Sequence, residues 1–315
     1  MKFKPATIIP ATLFSAALAM FLCSTLADSQ QAPPAPGAPG AAAGRGGRGG
    51  GGFRQPDPID FEDHTGWTSM WDGATLKGWD GDFKYWKVES GAIVVQSTCE
   101  QPTGTIYLVW QGGEAANFEM KLEMKGEGAA VNSGVQYRGA IVKPRETPPA
   151  GATPAPGRGG AGGRGRGPQG PCPSGAPRGV PPSRESQAKW SMLGAQFDFD
   201  GRNRYSGQYY EQATGRGIIA WRGQMVRTEE GKNPRLLATL GSPEELGGYV
   251  KIEDWNQLHI IAQGNTMTHI INGHVMSILV DDDTSKFRKS GLIGVEIEGT
   301  GKISLRNLWL KRLPD

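Results

Sequence analysis

Two short stretches place polar side chains at alternate positions, the spacing that puts them on one side of an extended chain. In the run 132–138, Asn132, Gly134, Gln136 and Arg138 share one face, while Ser133, Val135 and Tyr137 share the other. In 195–200, Gln196, Asp198 and Asp200 oppose Ala195, Phe197 and Phe199. Two such strands would array amides, carboxylates and a guanidinium on one side and send aromatics into a core on the other. That pattern suits a sugar, whose hydroxyls take planar bidentate partners and whose C–H faces take aromatic platforms. The solvated face of any antiparallel sheet alternates in the same way, so both readings stand at this level.

Other groups offer proton chemistry. His269 shares a face with Met267 and Ile271. An imidazole titrates near 6.5 and suits a general base near neutrality, whereas a lone histidine on an apolar face is more often a satisfied core residue. Glu211, after Tyr209 and Tyr210, reads as an acid or as a salt-bridge partner. Among the aromatics, which include nine tryptophans, Tyr210 and Trp221 are the candidates to line a sugar. A retaining glycosidase needs two carboxylates about 5–5.5 Å apart. Asp198 and Asp200 lie almost 7 Å apart at Cα if both are on one strand, and only just converge. No Gly-rich nucleotide loop, nucleophile elbow or metalloprotease helix occurs.

The elements that must position these groups read as strands. The run 118–125, Phe-Glu-Met-Lys-Leu-Glu-Met-Lys, alternates without a break. Shorter strand-like runs cover 92–96, 105–110, 134–137, 195–199, 218–221, 258–262, 267–271, 274–280, 292–297 and 303–310, with Gly or Asn in most gaps. Asn272-Gly273 is a hairpin signal. No window forms a convincing amphipathic helix, and 243–246 offers a single turn. The expectation is an all-β fold, an antiparallel β-sandwich or jelly roll.

The chain has 315 residues, 48 of them Gly and 23 Pro, more than one packed domain absorbs. Lys2 and Lys4 precede an apolar run from Ile8 to Leu26 that ends in Thr25-Leu26-Ala27, the pattern of a secretory signal at 1–27 cleaved after Ala27. Pro10, Thr12 and Ser15 make that run a poor membrane span, and no later segment is long and apolar enough to cross, so the reading is a periplasmic or secreted protein. Residues 28–55 form a Gly/Pro/Ala-rich tether, and 143–185, with 11 Gly and 11 Pro, reads as a disordered insert within a domain at 56–315. Residues 1–55 carry net +4 and the insert +5 of the overall +3, which leaves −6 for the remainder. The Gly-Arg-Gly-Gly repeats contain only Phe53 as an interleaved aromatic, so they read as a solvated spacer and not as a nucleic-acid tail. Cys99 and Cys172 have no neighbouring histidines and do not resemble a zinc site; in an oxidising compartment they could pair and tie the insert to the body.

Several motifs together resemble a known family. Asp72-Gly73-Ala74-Thr75-Leu76-Lys77-Gly78-Trp79, Trp86-Lys87-Val88 with Gly91-Ala92-Ile93, and 132–139 carry the resemblance, with Gln196-Phe197-Asp198. It continues through Gly207-Gln208-Tyr209, Gly215-Arg216-Gly217, Trp255-Asn256 and Thr268-His269-Ile270-Ile271-Asn272-Gly273. They resemble, in order over 60–312, the family long called domain of unknown function 1080 and now described as 3-keto-disaccharide hydrolase. The insert between Arg138 and Gln196 departs from the compact family pattern. The resemblance implies a concanavalin A-like jelly roll acting on oxidised, 3-keto saccharides. A ketone at C3 acidifies the C2 hydrogen, so a modest base can start elimination of the C1 substituent. On that chemistry His269 or Asp198 is the expected base, Glu211 the acid, and Arg138 and Asn132 the stabilisers of enolate charge, with Gln196, Tyr210 and Trp221 binding substrate. No cofactor is assigned, and a divalent metal on Asp198 and Asp200 is an alternative electrophile to Arg138. The other class of reading is a non-catalytic carbohydrate-binding module tethered at the cell surface.

Overall fold

The computed structural model describes residues 56–57, 59–142, 172 and 175–314. The chain divides into units 1–56 and 57–315. Of the first only Pro56 is described, so the expected signal and tether lie outside the described residues, as does the expected insert apart from Cys172 and 175–185.

The chain order begins β1 (Thr68–Ser69), β2 (Trp79–Gly81), β3 (Trp86–Glu89), β4 (Ala92–Ser97), β5 (Ile106–Trp110), β6 (Phe118–Ile141), β7 (Met192–Asp200) and β8 (Tyr209–Gln212). It continues with β9 (Gly217–Ala220), β10 (Gln224–Glu229), β11 (Arg235–Thr239), helix α1 (Pro243–Gly247), β12 (Asn256–Gln263), β13 (Thr266–Ile271), β14 (His274–Asp282) and β15 (Leu292–Arg312). The helix is one turn, started by Ser242, whose side chain accepts from the Glu245 N–H.

Hydrogen bonding is continuous through all fifteen strands, and two long strands fold the sheet into two layers. β6 and β15, of 24 and 21 residues, pair antiparallel along most of their length. Their register breaks between Thr300 and Lys302, beside Gly128 (φ 102°) and Gly301 (φ 147°). A Cβ at Gly301 would lie 2.6 Å from Val131 Cβ, so only glycine lets the two strands pass this closely at the bend. Before the bend, β6 pairs with β12, and the sheet continues through β13, β14, β10 and β11. After it, β6 pairs with β7, followed by β8 and β9, while the matching half of β15 pairs with β5. β10 and β14 are parallel; every other ladder among the described strands is antiparallel.

Alternation fills the space between the layers. Phe118, Met120, Leu122 and Met124 from the first half of β6 face inward, as do Val135 and Tyr137 from the second. Phe197 and Phe199 of β7 and Val295 and Ile297 of β15 belong to the same core. The Phe197 ring of the second layer stacks on His269 of β13 in the first, with centroids 4.3 Å apart. The sandwich reading therefore holds. The alternating runs around 118–125 and 134–137 are one strand, because glycines at 126, 128 and 134 bend and thin β6 without ending it. The β10–β11 hairpin was not foreseen, since every residue of β11 is exposed and leaves no alternation to read.

Cys99 and Cys172 are joined in a disulfide, Cα atoms 5.8 Å apart. The chain then returns along the sheet: Gly179 N–H donates to Cys99 O, Gln187 Nε2 to Asp82 and Trp190 Nε1 to Asp80, before entering β7.

Candidate active site

The side of the second layer that faces away from the core carries a block of polar groups beside a small apolar cluster of Tyr107, Val109 and Met192. Register lines up Tyr107 of β5, Glu296 of β15, Gly134 of β6 and Asp198 of β7 in one row across four strands. The adjoining rows carry Gly294, Gln136, Gln196 and Tyr210 on one side and Glu298, Asn132 and Asp200 on the other. Because successive residues alternate, these groups and the core aromatics come from the same strands. Neighbouring strands lie about 4.8 Å apart, so Glu296 and Asp198, astride β6, have Cα atoms on the order of 10 Å apart. Glycine at 134 is demanded by this crowding: a Cβ there would overlap the Gln196 amide and come within 2.8 Å of Phe197 O.

Hydrogen bonds orient the row. Glu296 accepts from the Tyr107 hydroxyl at 2.8 Å and from Gln196 Nε2 at 2.6 Å. Gln136 Nε2 donates to Gln196 Oε1 at 3.3 Å, and Gln208 Nε2 to Asp198 Oδ2 at 2.6 Å. Glu298 accepts from Thr105 and Asn132. Tyr107, Gln136, Gln196, Asp198, Gln208 and Glu296 are all buried. Burial, with the charge of Glu298 added, pushes the Glu296 carboxyl up to about 8, against the opposing hydrogen bonds from Tyr107 and Gln196. Burial also raises Asp198 well above the usual carboxylate range; the Gln208 amide opposes this, and the charges of Glu296, Asp200 and Glu298 reinforce it. Three amide oxygens here, Asn132 Oδ1, Gln136 Oε1 and Gln208 Oε1, are buried without a hydrogen-bond partner. Leaving a buried acceptor unpaired costs about 1–3 kcal/mol, and hydroxyl donors would offset it.

The structure thus brings Asn132, Gln196 and Asp198 together, with Tyr210 half-buried in the row of Gln196. It does not bring the other named residues to them. His269 is fully buried in the core, stacked between Phe197 and Tyr209, with Nε2 2.7 Å from the Tyr137 hydroxyl. Burial holds its pKa down at about 3, so the ring stays neutral, and it lies in the core away from the polar row. Arg138 leaves the face of Gln136 because the ladder slips between Tyr137 and Ala140 and Arg138 itself takes φ 47°. Its guanidinium donates to Ala116 O and Gly264 O. Glu211, opposite Ala195, turns to the core side and pairs with Arg216 at 3.0 Å; burial still lifts its pKa above the ordinary value. Trp221 is half-exposed at the turn after β9.

Asp200 departs from a metal-ligand role in the same way. Its carboxylate accepts from Arg204 Nε at 3.0 Å and Tyr205 N–H at 3.2 Å in its own loop. Among the described residues, no group of three or more His, Cys, Asp or Glu is placed to hold a metal ion. Sequence reasoning missed Glu296, Glu298, Tyr107 and Gln208. The signal for two of them was present: Gly294, Glu296 and Glu298 alternate with Ile293, Val295 and Ile297, the same polar-out pattern as β6 and β7.

The chain is similar in structure to a putative glycosyl hydrolase from Parabacteroides distasonis ATCC 8503, with 14% identity, TM-score 0.43, and 82% of this chain and 100% of that chain covered. It is also similar to a Bacillus subtilis protein of unknown function with a galectin-like fold (11% identity, TM-score 0.45, 78% and 98% covered). A third similar structure is the carbohydrate-binding module CBM66 from Bacillus subtilis (9% identity, TM-score 0.39, 78% and 95% covered). No curated protein matches the chain. The model of the 3-keto-alpha-glucoside-1,2-lyase-like domain matches residues 66–311, which run from β1 to the last residue but one of β15 and include every residue of the polar row. The chain belongs to that carbohydrate-active family, the 3-keto-disaccharide hydrolases that its motifs resemble.

Proposed function

We propose that this protein cleaves the glycosidic bond of sugars oxidised at C3, using Asp198 as base and Glu296 as acid. The observation that carries the reading is the row itself: two carboxyls with raised pKa astride Gly134, ringed by unpartnered amide oxygens. Asp198, as carboxylate, removes the C2 proton that the C3 ketone acidifies. The enolate electrons form the C1–C2 double bond as the C1–O bond breaks, and Glu296 protonates the departing oxygen. Water then adds, its hydroxyl to C1 and a proton returning from Asp198 to C2, while Glu296 regains its proton from the water. The amides of Asn132, Gln136 and Gln196 are the partners for the sugar hydroxyls and for the enolate oxygen. The protein acts outside the cytoplasm in this reading, which the Cys99–Cys172 disulfide supports.

The test is incubation with a 3-keto glucoside beside its unoxidised parent, following release of the aglycone. Cleavage of the keto sugar alone, with at least roughly a hundredfold loss in E296Q and D198N, is expected. Binding of saccharide without turnover overturns the reading in favour of a carbohydrate-binding module.

A further inference from the structure

His269, which the reaction above does not use, is fully buried behind the polar row. Its surroundings fix its proton. Nδ1 lies 3.3 Å from Gln208 O, an atom that can only accept, so Nδ1 carries the hydrogen and Nε2 accepts from the Tyr137 hydroxyl. Ser277 Oγ, also 3.3 Å from Nδ1, donates to Gly207 O and pins the residue before Gln208. Phe197 and Tyr209 hold the ring plane from either side. The Gln208 carbonyl receives a second bond, from the Asp198 N–H at 3.3 Å, and Gly207 N–H donates to Asp198 O at 2.8 Å. On the other side of the strand the Gln208 side chain reaches the Asp198 carboxylate at 2.6 Å.

Resting on the function proposed above, we infer that His269 is a positioning residue for Asp198, acting through Gln208. From inside the core it fixes the one residue whose backbone and side chain both bind Asp198, and so sets where the carboxylate sits relative to the substrate. Fold alone does not require this arrangement. A phenyl ring would fill the slot between Phe197 and Tyr209, but it would leave the Gln208 carbonyl with the Asp198 N–H alone and without the donor that His269 Nδ1 supplies from the core.

The groups around the imidazole are Tyr137 from β6, Tyr209 from β8 and Ser277 from β14. Those around the Asp198 carboxylate are Gln208, Asp200 on the same strand, and Glu296 and Glu298 from β15. The experiment compares H269F, which keeps the ring and loses the donor, with H269N, whose amide can place a donor where Nδ1 stands. Two quantities are read: turnover of a 3-keto glucoside and the titration of the Asp198 carboxyl by NMR. In H269F, kcat falls roughly ten- to a hundredfold with KM near the wild-type value. Its Asp198 titration moves upward, because the Gln208 bond that favours the carboxylate is loosened. H269N restores both to within a few-fold. Q208A reproduces the upward titration, and adding H269F to it changes nothing further. Folded H269F with wild-type kcat and an unmoved Asp198 titration overturns the inference, as does additivity of H269F with Q208A. If H269F does not fold, Y137F, which frees Nε2 and the tautomer, must move the Asp198 titration in the same direction or the inference fails. Should the wild type not turn over the keto sugar, the function falls, while the titrations still decide the positioning role.

Discussion

Glu296 holds its proton at neutral pH because the interior of the polar row disfavours its charge, and that makes it an acid matched to a leaving alkoxide. Its ionisation should therefore end activity as pH rises: kcat/KM falls through a limb near pH 8 in the wild type. In E296Q the residual rate lacks that limb, and a pH profile of both proteins checks it. The same shift has a consequence for stability. With the folded value raised from 4.5 to about 8, the folded state retains a proton that the unfolded chain gives up between those values. Stability contributed at this site is therefore highest at acid pH and is lost as pH climbs through the window. E296Q should lose less stability than the wild type between pH 4 and pH 9, by up to a few kcal/mol, as urea unfolding at the two pH values would show. A wild-type curve with the same pH dependence as E296Q would contradict the burial argument. At this scale, half of the site was legible. Asn132, Gln196 and Asp198 were readable because β6 and β7 alternate cleanly. His269 was left between base and core residue because a histidine on an apolar strand face looks alike whether that face meets substrate or another sheet. Here it meets Phe197.

At the scale of elements, the strands were readable from period-two patterning, whereas the irregularities that aim the side chains were not. Alternation extrapolates Arg138 onto the face of Gln136, but the slip after Tyr137 sends its guanidinium to Ala116 and Gly264. No residue type announces that slip, because a non-glycine at φ 47° reads in sequence like any other arginine. Glycine at 301 is the opposite case, legible only as a break in a strand-like run and decisive once β15 is seen to change layers. G301A must find space against Val131 Cβ and Glu127 O in a backbone conformation that disfavours a side chain. It should cost roughly 1–3 kcal/mol in chemical denaturation. G134A should behave differently. Its methyl group would press on the Gln196 amide that binds Glu296, so turnover is expected to fall by tenfold or more for a smaller loss of stability. Activity assays and melting curves on the two variants separate a glycine that lets the sheet bend from one that keeps the row clear.

For the whole molecule, the arrangement of cysteines joins the fold to the compartment proposed for it. The chain has three, of which Cys99 and Cys172 are bonded across 73 positions, and Cys23 stands inside the expected signal. The bridge anchors the start of the stretch that returns past Asp82 and Asp80 into β7, and so into Gln196 and Asp198. Closing a long loop restricts the unfolded chain more than the folded one, a stabilisation of about 2–4 kcal/mol. Replacing both cysteines with serine should therefore lower Tm by roughly 5–10 °C. Reduction of the native protein should do the same. Export with cleavage after Ala27 has a further consequence, since it removes Cys23 and leaves no unpaired cysteine. Protein recovered from the periplasmic or secreted fraction and denatured without reductant should then titrate no free thiols, and its first residue should be Asp28. One thiol per chain means that the leading segment was retained with the bridge intact. Two, or three where the leading segment is retained, mean that the bridge never formed, and with it falls the placement of this protein in an oxidising compartment.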